Sequence, residues 1–284
     1  MEYAIYLDRL SDKAERVDSV LLKNKKISRL YFGEEFCEEL IPDLTEVNKS
    51  IEYAKANKLD YTYICGYLTD KGYNKQVKIL DYLNRKTVNG KKIEVTINDW
   101  GIFSLFARGF RNLMPILGRM LVKNSRMPRY TKNTPIPYTQ LVMNPRLWDN
   151  QLKVLKDSNL SVSGYRRFLK KHRIKRVECD IVPQGISVNR KWGFKFSFYT
   201  PWSYVTGARI CSLAGTVYPE RSRLIRREAC SKPCRNVFMR LDGGAEILPM
   251  VQRGNAIFFD NSSLANAFMN QAAFDRVILE NLFI

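Results

Sequence analysis

The amino-acid sequence predicts an α/β fold of the (β/α)-barrel, TIM-type kind. It would form a single domain over residues 1–284 with a small β insertion near the carboxyl terminus. Three observations carry this expectation. Short apolar strand patterns alternate with helical patterns through the first two-thirds of the chain, the rhythm of βαβ units around a parallel sheet. A length of 284 residues, 45% of them hydrophobic, provides the core of one large domain or two small ones and suits a barrel. Strand signals then crowd together after Arg235, as a local β insertion would require. A doubly wound sheet has the same rhythm, and at the level of pattern both arrangements stay open.

The elements follow in order. Tyr3 to Asp8 alternates as a short strand, and Ser11 to Lys23 is polar and helix-permissive. Ser28 to Gly33 reads as a second strand stopped by its glycine. Pro42 to Ala56 is helical, with Asp43 and Thr45 as candidate N-caps. Tyr61 to Leu68 is a third strand and Asn74 to Arg85 a helix; a turn at VNGKK leads to a fourth strand, Ile93 to Asn98. A helix from Ile102 to Phe110 and a strand from Met114 to Gly118 follow. Lys123 to Pro145 is too long for an ordinary connector and reads as a lid or binding loop. Ser161 to His172 is a basic amphipathic helix, and Arg176 to Val182 and Phe194 to Tyr199 are buried-type strands. Past the cysteine-rich loop 209–235, VFMRL, AEILPM and AIFF read as short strands. A helix from Leu264 to Phe274 and a last strand, RVILENL, close the chain.

Lys and Arg outnumber Asp and Glu by 47 to 28, a formal net charge of +19. Such a field draws anions: nucleic acid, phosphorylated metabolites, carboxylates or an acidic partner. A lysine-rich solvated surface accounts for the charge equally well. No apolar run reaches bilayer-spanning length, and the start of the chain lacks a signal-peptide pattern. A cytoplasmic protein with reduced thiols is expected, so its six cysteines read as metal ligands plus buried thiols.

The cysteines carry the most chemistry. Cys211 precedes Cys230 by eighteen intervening residues, and three more separate Cys230 from Cys234. Cys37 lies far upstream, just past the second strand, where ligands collect in parallel α/β folds. Three thiols in one loop and a fourth brought by the fold would make a four-thiolate site. With one histidine, His172, in the chain, mixed Cys/His sites are poorly supplied, and thiolates alone suit zinc or an iron–sulfur cluster. Arg209, Arg221, Arg223, Arg226, Arg227 and Arg235 would stabilise thiolates. A redox-active or incidental cysteine pair in a basic loop is the blander reading. Cys65, inside a strand, and Cys179, between Glu178 and Asp180, read as core thiols. Asn98 and Asp99, with Gly101, occupy the end of the fourth strand and point to the same face as Cys37.

Other catalytic patterns are missing from the sequence. A Cys–His pair would have to recruit His172 from a basic helix, and there is no GxSxG, HExxH or P-loop. Gly243 and Gly244 follow Asp242 as a turn. The segment GYRRFLKKHRIKR interleaves aromatic and basic residues as nucleic-acid binders do, although an exposed basic helix face is the simpler account.

Taken in order, LYFGEEFC, VTINDWGIFSLF, ILGRML and ARIC followed by CxxxC resemble the collagenase-like, U-thirty-two peptidase family, and within it the short UbiV-like branch. The motifs span roughly Arg29 to Arg235. The resemblance implies a (β/α)-barrel-like domain with a 4Fe–4S cluster on Cys37, Cys211, Cys230 and Cys234, zinc being the alternative metal. The spacer between Cys211 and Cys230 is longer here than in that branch. The resemblance further implies oxygen-independent hydroxylation of the quinone-precursor type, and a heterodimer with a longer relative. Asn98 and Asp99, matching an Asn-Asp element of the family, would orient substrate, and Arg209 would hold an anionic group. RNA-base hydroxylation, with RNA or an anionic small molecule as partner, is the alternative; peptidase activity ranks last, because no nucleophile–base pair is visible.

Overall fold

The structure is a computed structural model that describes residues 1–10, 27–126, 145–209, 211, 213–214, 230–242 and 248–280. Eight parallel strands among them close into a barrel: β1 (Glu2–Leu7), β2 (Ile27–Glu34), β3 (Asp60–Cys65), β4 (Glu94–Ile97), β5 (Met114–Leu117), β6 (Arg176–Asp180), β7 (Lys195–Thr200) and, pairing back onto β1, the last strand, Phe274–Glu280. In that seam Ala4 lies opposite both Arg29 and Ile278. Closure decides between the two arrangements the rhythm allowed.

Helices fill the crossovers: α1 (Leu44–Ala56), α2 (Asp70–Leu83), α3 (Trp100–Arg108), α4 (Pro145–Lys156) and α5 (Ser163–Lys171). Asp43 caps α1 in a reciprocal box with Glu46, each side chain bonded to the other's backbone N–H at 2.8 and 2.9 Å. After β7 the chain builds a four-stranded antiparallel sheet from β8 (Trp202–Gly207), β9 (Met239–Leu241), β10 (Met250–Arg253) and β11 (Ala256–Asp260), in the order β8-β11-β10-β9. It returns through α6 (Ser262–Met269) to β12 (Phe274–Glu280). This sheet is the expected β insertion.

Strand periodicity sorts the core into two parts. Ile5, Leu7, Leu30, Phe32, Val95, Ile97, Val177, Cys179, Phe198 and Val277 face the helices and form the larger apolar cluster. Their neighbours Ala4, Tyr6, Tyr31, Ile64, Tyr199 and Ile278 form a second cluster with the β insertion. The remaining inward positions are polar or charged: Arg29, Thr96, Arg176, Glu178, Asp180, Arg276 and Glu280 are all buried. Ion pairs and tyrosines thus take much of the space that branched aliphatics fill in an ordinary barrel.

Several boundaries differ from the sequence expectation. The second helix begins at Asp70 rather than Asn74, directly after the extended Thr69, whose N–H and hydroxyl are held by Glu38. The third strand stops at Cys65, short of Leu68. The last helix ends at Met269, and Phe274 opens β12 instead, where its ring packs on Phe198. The helix α4 and strand β8 had no sequence counterpart. The stretch Ser11 to Lys23, most of the loop Lys123 to Pro145, the arginines at 221, 223, 226 and 227, and the Gly243–Gly244 turn lie outside the described residues.

Candidate functional site

The carboxyl ends of the strands form a mouth covered in part by the β insertion. Strand β2 delivers Cys37 there through a fixed turn. Gly33 has φ +138°, and a Cβ on it would stand 2.4 Å from the Ile64 carbonyl oxygen, so only glycine lets β2 run this close to β3. One oxygen of Glu34 then accepts from the N–H groups of Phe36 (2.9 Å) and Cys37 (3.3 Å). Glu38 ties the turn to the next helix by accepting from Thr69 N–H at 2.8 Å and from its hydroxyl.

Cys234 arrives from the other side. It sits in a short 3-10 turn, Pro233–Arg235, entered through Lys232 in the left-handed conformation. Its carbonyl accepts from Arg253, which pairs with Asp8 at the end of β1. Asn255 joins the segments by donating to the Phe36 carbonyl at 2.8 Å and the Ala208 carbonyl at 2.6 Å. Cys37, Cys211 and Cys234 pack together with Leu40, Leu213 and Met239. Three of the four cysteines expected in the site therefore meet, from segments nearly two hundred residues apart. The Cys230 sulfur accepts from Lys232 N–H at 3.3 Å, at the entrance to the same turn. The Cys211 sulfur likewise accepts from Ala214 N–H at 3.4 Å.

Burial pushes the Cys37 thiol up to about 12, with Glu34 adding to the effect, and burial also raises Cys234. Glu34 is itself lifted to about 7 by burial, and its second oxygen has no hydrogen-bond partner.

The residues suit a cluster on two counts. Gly254, at φ +60°, lies against the thiols: a Cβ there would be 3.4 Å from the Cys234 sulfur and 3.9 Å from that of Cys211, so the missing side chain keeps space beside both. Among the described residues no three Cys, His, Asp or Glu side chains are gathered tightly enough for a single ion. An all-thiolate donor set is the kind a 4Fe–4S cluster takes.

An open cavity of about 410 Å³ is lined by Phe36 and Asn255, chain neighbours of Cys37 and Gly254, and by Ala208, but by none of the cysteines. Tyr67, Trp100 and Tyr204 supply aromatic walls, and Lys123 and Arg126 supply positive charge. Asn98 lines it, but its amide donates to Glu35 (3.1 Å) and the Cys65 carbonyl (3.3 Å) and accepts from Met120 N–H (3.1 Å). Asp99 caps α3, accepting from Gly101 and Ile102 N–H at 2.7 and 3.1 Å. Arg209 lies at the edge, its guanidinium 4.7 Å from the Tyr67 ring and bonded to the Tyr67 hydroxyl. Cys65 and Cys179 are buried on the helix-facing side of the barrel, away from the mouth. His172 ends α5 against the rings of Phe103 and Phe168.

Beneath the cavity is a charged centre that the sequence reading missed. Arg119, fully buried, pairs with Glu35 (2.7 Å), Asp180 (3.1 Å) and Glu280 (2.5 Å), and lies over the ring of Tyr199. Arg126 takes the other oxygen of Asp180 at 2.9 Å and reaches the cavity wall. Two guanidiniums thus face three carboxylates. Burial raises the pKa of Glu35, and it lifts Glu280 to about 8 against the pull of Arg119. Burial thus favours the neutral form of the carboxyls in this centre. The signal was present in RVECD and RVILE: where helices cover the outer face of a barrel, alternating ionisable residues in a strand must point inward.

No family model and no curated protein matches the chain. A solved structure described as that of the U32 peptidase Mk0906 aligns over 99% of this chain and 92% of its own, with a TM-score of 0.43 and 11% identity.

Proposed function

We propose that this chain is an iron–sulfur protein of oxygen-independent hydroxylation, holding a 4Fe–4S cluster on Cys37, Cys211, Cys230 and Cys234 beside its substrate cavity. The observation that supports the reading is the packing of Cys37, Cys211 and Cys234 in one group, with the side-chain-free Gly254 against the sulfurs of Cys211 and Cys234. The hydroxylation class and the UbiV-like branch rest on the order of the sequence motifs. A longer relative of the same family is the proposed partner.

Bound there, a cluster would supply iron that exchanges single electrons. The chain's own residues do the rest. Tyr67, Trp100 and Tyr204, the last stacked on Phe36, give the cavity aromatic walls, and Arg126, anchored by Asp180, sits where an acidic substituent would need a cation. Arg209 at the rim is a second anchor for an anionic group. Asn98 serves by holding Glu35 and the Met120 backbone in place, and Asp99 by fixing the helix that carries Trp100. Burial of the Arg119 centre raises Glu280 and so favours its neutral form beneath the cavity.

Anaerobic purification followed by iron and sulfide analysis tests the reading. A brown protein with about four irons per chain is expected, with iron lost on changing any of the four cysteines to Ser. A colourless, iron-free protein under those conditions, or stoichiometric zinc alone, would refute it.

A further inference from the structure

The opposite end of the barrel has a cleft of its own. It measures about 870 Å³ and is lined by the starts of the barrel strands. Its floor is electrically spent: Arg29 and Arg276 pair with Glu2, Asp60 and Glu94, and Arg176 pairs with Asp275. Around that floor stand six further cations, Lys92, Arg111, Lys170, Arg173, Lys175 and Lys195, all exposed and none with a carboxylate partner among the described residues. They come from four separate segments of the chain, so they are not one solvated helix face. Between them Leu113, Met114, Pro115 and Ile116 line the cleft, and of these Met114, 41% exposed, presents the apolar surface. Arg111 and Arg173 also border a second hollow of about 350 Å³ that adds Arg108 and Lys171.

An unneutralised cationic rim around an apolar surface suits a ligand with several negative charges and a flat, weakly polar body. We propose that this cleft binds a nucleotide, its phosphates on the rim and its base against Met114. The volume lies within the ordinary range of small-molecule sites, and a thioether makes favourable contacts with aromatic rings. The nucleotide is either free or one unit of a single strand that continues into the second hollow. The site is a barrel's length from the thiols, so the proposal stands or falls separately from the iron–sulfur reading.

The test uses the full chain and three probes: ATP, inorganic triphosphate and a short single-stranded oligonucleotide. ATP or the oligonucleotide should bind at low salt, more tightly than triphosphate, and weaken linearly on a log–log salt plot. Changing Arg111 and Lys175 together to Ala should weaken binding about tenfold or more, as expected for losing charged contacts. Met114→Ala should weaken the nucleotide probes and leave triphosphate unchanged. All three side chains are exposed, and a thermal melt confirms that the variants fold; Lys195→Glu replaces any that does not. ATP without oligonucleotide assigns a free ligand, and the reverse assigns a strand. Failure of both at low salt, equal binding by the double variant, or triphosphate binding as tightly as ATP overturns the proposal.

Discussion

Each cysteine has a distinct setting, and that makes the thiols separable by experiment. Cys37, Cys211 and Cys234 share one packed cluster, whereas Cys65 and Cys179 lie among the helix-facing apolar residues. Cys65→Ala should therefore leave the iron content of anaerobically purified protein unchanged, while Cys234→Ser removes most of it. A fall in iron with Cys65→Ala would place the metal elsewhere. Gly254→Val offers a test that spares every sulfur. Its Cβ would meet Cys234 at 3.3 Å in a backbone conformation that L residues avoid, so iron should be lost although all four thiols remain. The thiols were legible in the sequence because cysteine spacing is a local signal. Gly254 was not, since it sits in the turn between β10 and β11 and only the fold brings it near.

At the level of elements, strand and helix patterns were readable where one face is apolar and the other is not. Boundaries slipped where tertiary contacts take over, as at Phe274, which packs with Phe198 instead of ending a helix. The substrate roles expected for Asn98 and Asp99 look different at this scale. The β4–α3 junction uses both side chains to hold itself together. Asp99→Ala should cost about 1 kcal/mol of stability through loss of the cap, read as a lower urea midpoint. A variant of unchanged stability that loses substrate affinity would instead restore the direct role. The inward charges of β6 and β12 were also legible in principle, as alternating ionisable residues in strands whose other face is covered. Their partners were not, because Glu35, Arg119 and Glu280 come from three distant parts of the chain.

The molecule as a whole is built around buried charge. Arg119→Met would leave three carboxylates without their common cation and should destabilise the fold by about 3–5 kcal/mol, measured by urea unfolding. Loss below about 1 kcal/mol would mean that the centre does not hold the barrel together. The same interior sets a pH dependence. Burial raises Glu178 to about 7, so between the ordinary carboxylate range and pH 7 the folded chain keeps a proton that the unfolded chain has released. Stability should therefore fall as pH rises through that window. Glu34 and Glu280 act in the same direction. Glu94 works oppositely: burial alone would raise it, but Arg276 and Arg29 hold it down at about 2. Its contribution is present above the ordinary carboxylate range and is lost as pH falls toward 2. Glu178→Gln should flatten the decline of the urea midpoint between pH 5 and about 7; an unchanged slope would show that Glu178 is not its source.

The two ends of the barrel thus have different chemistry, with thiols and an aromatic cavity at one and an unneutralised cationic cleft at the other. The most direct test of the thiol end is a crystal structure of the anaerobically purified chain with anomalous data collected on both sides of the iron edge. The account predicts iron density among the sulfurs of Cys37, Cys211, Cys230 and Cys234, in the space left by Gly254. A well-ordered map with no iron there, or with a lone zinc on those sulfurs, would contradict it.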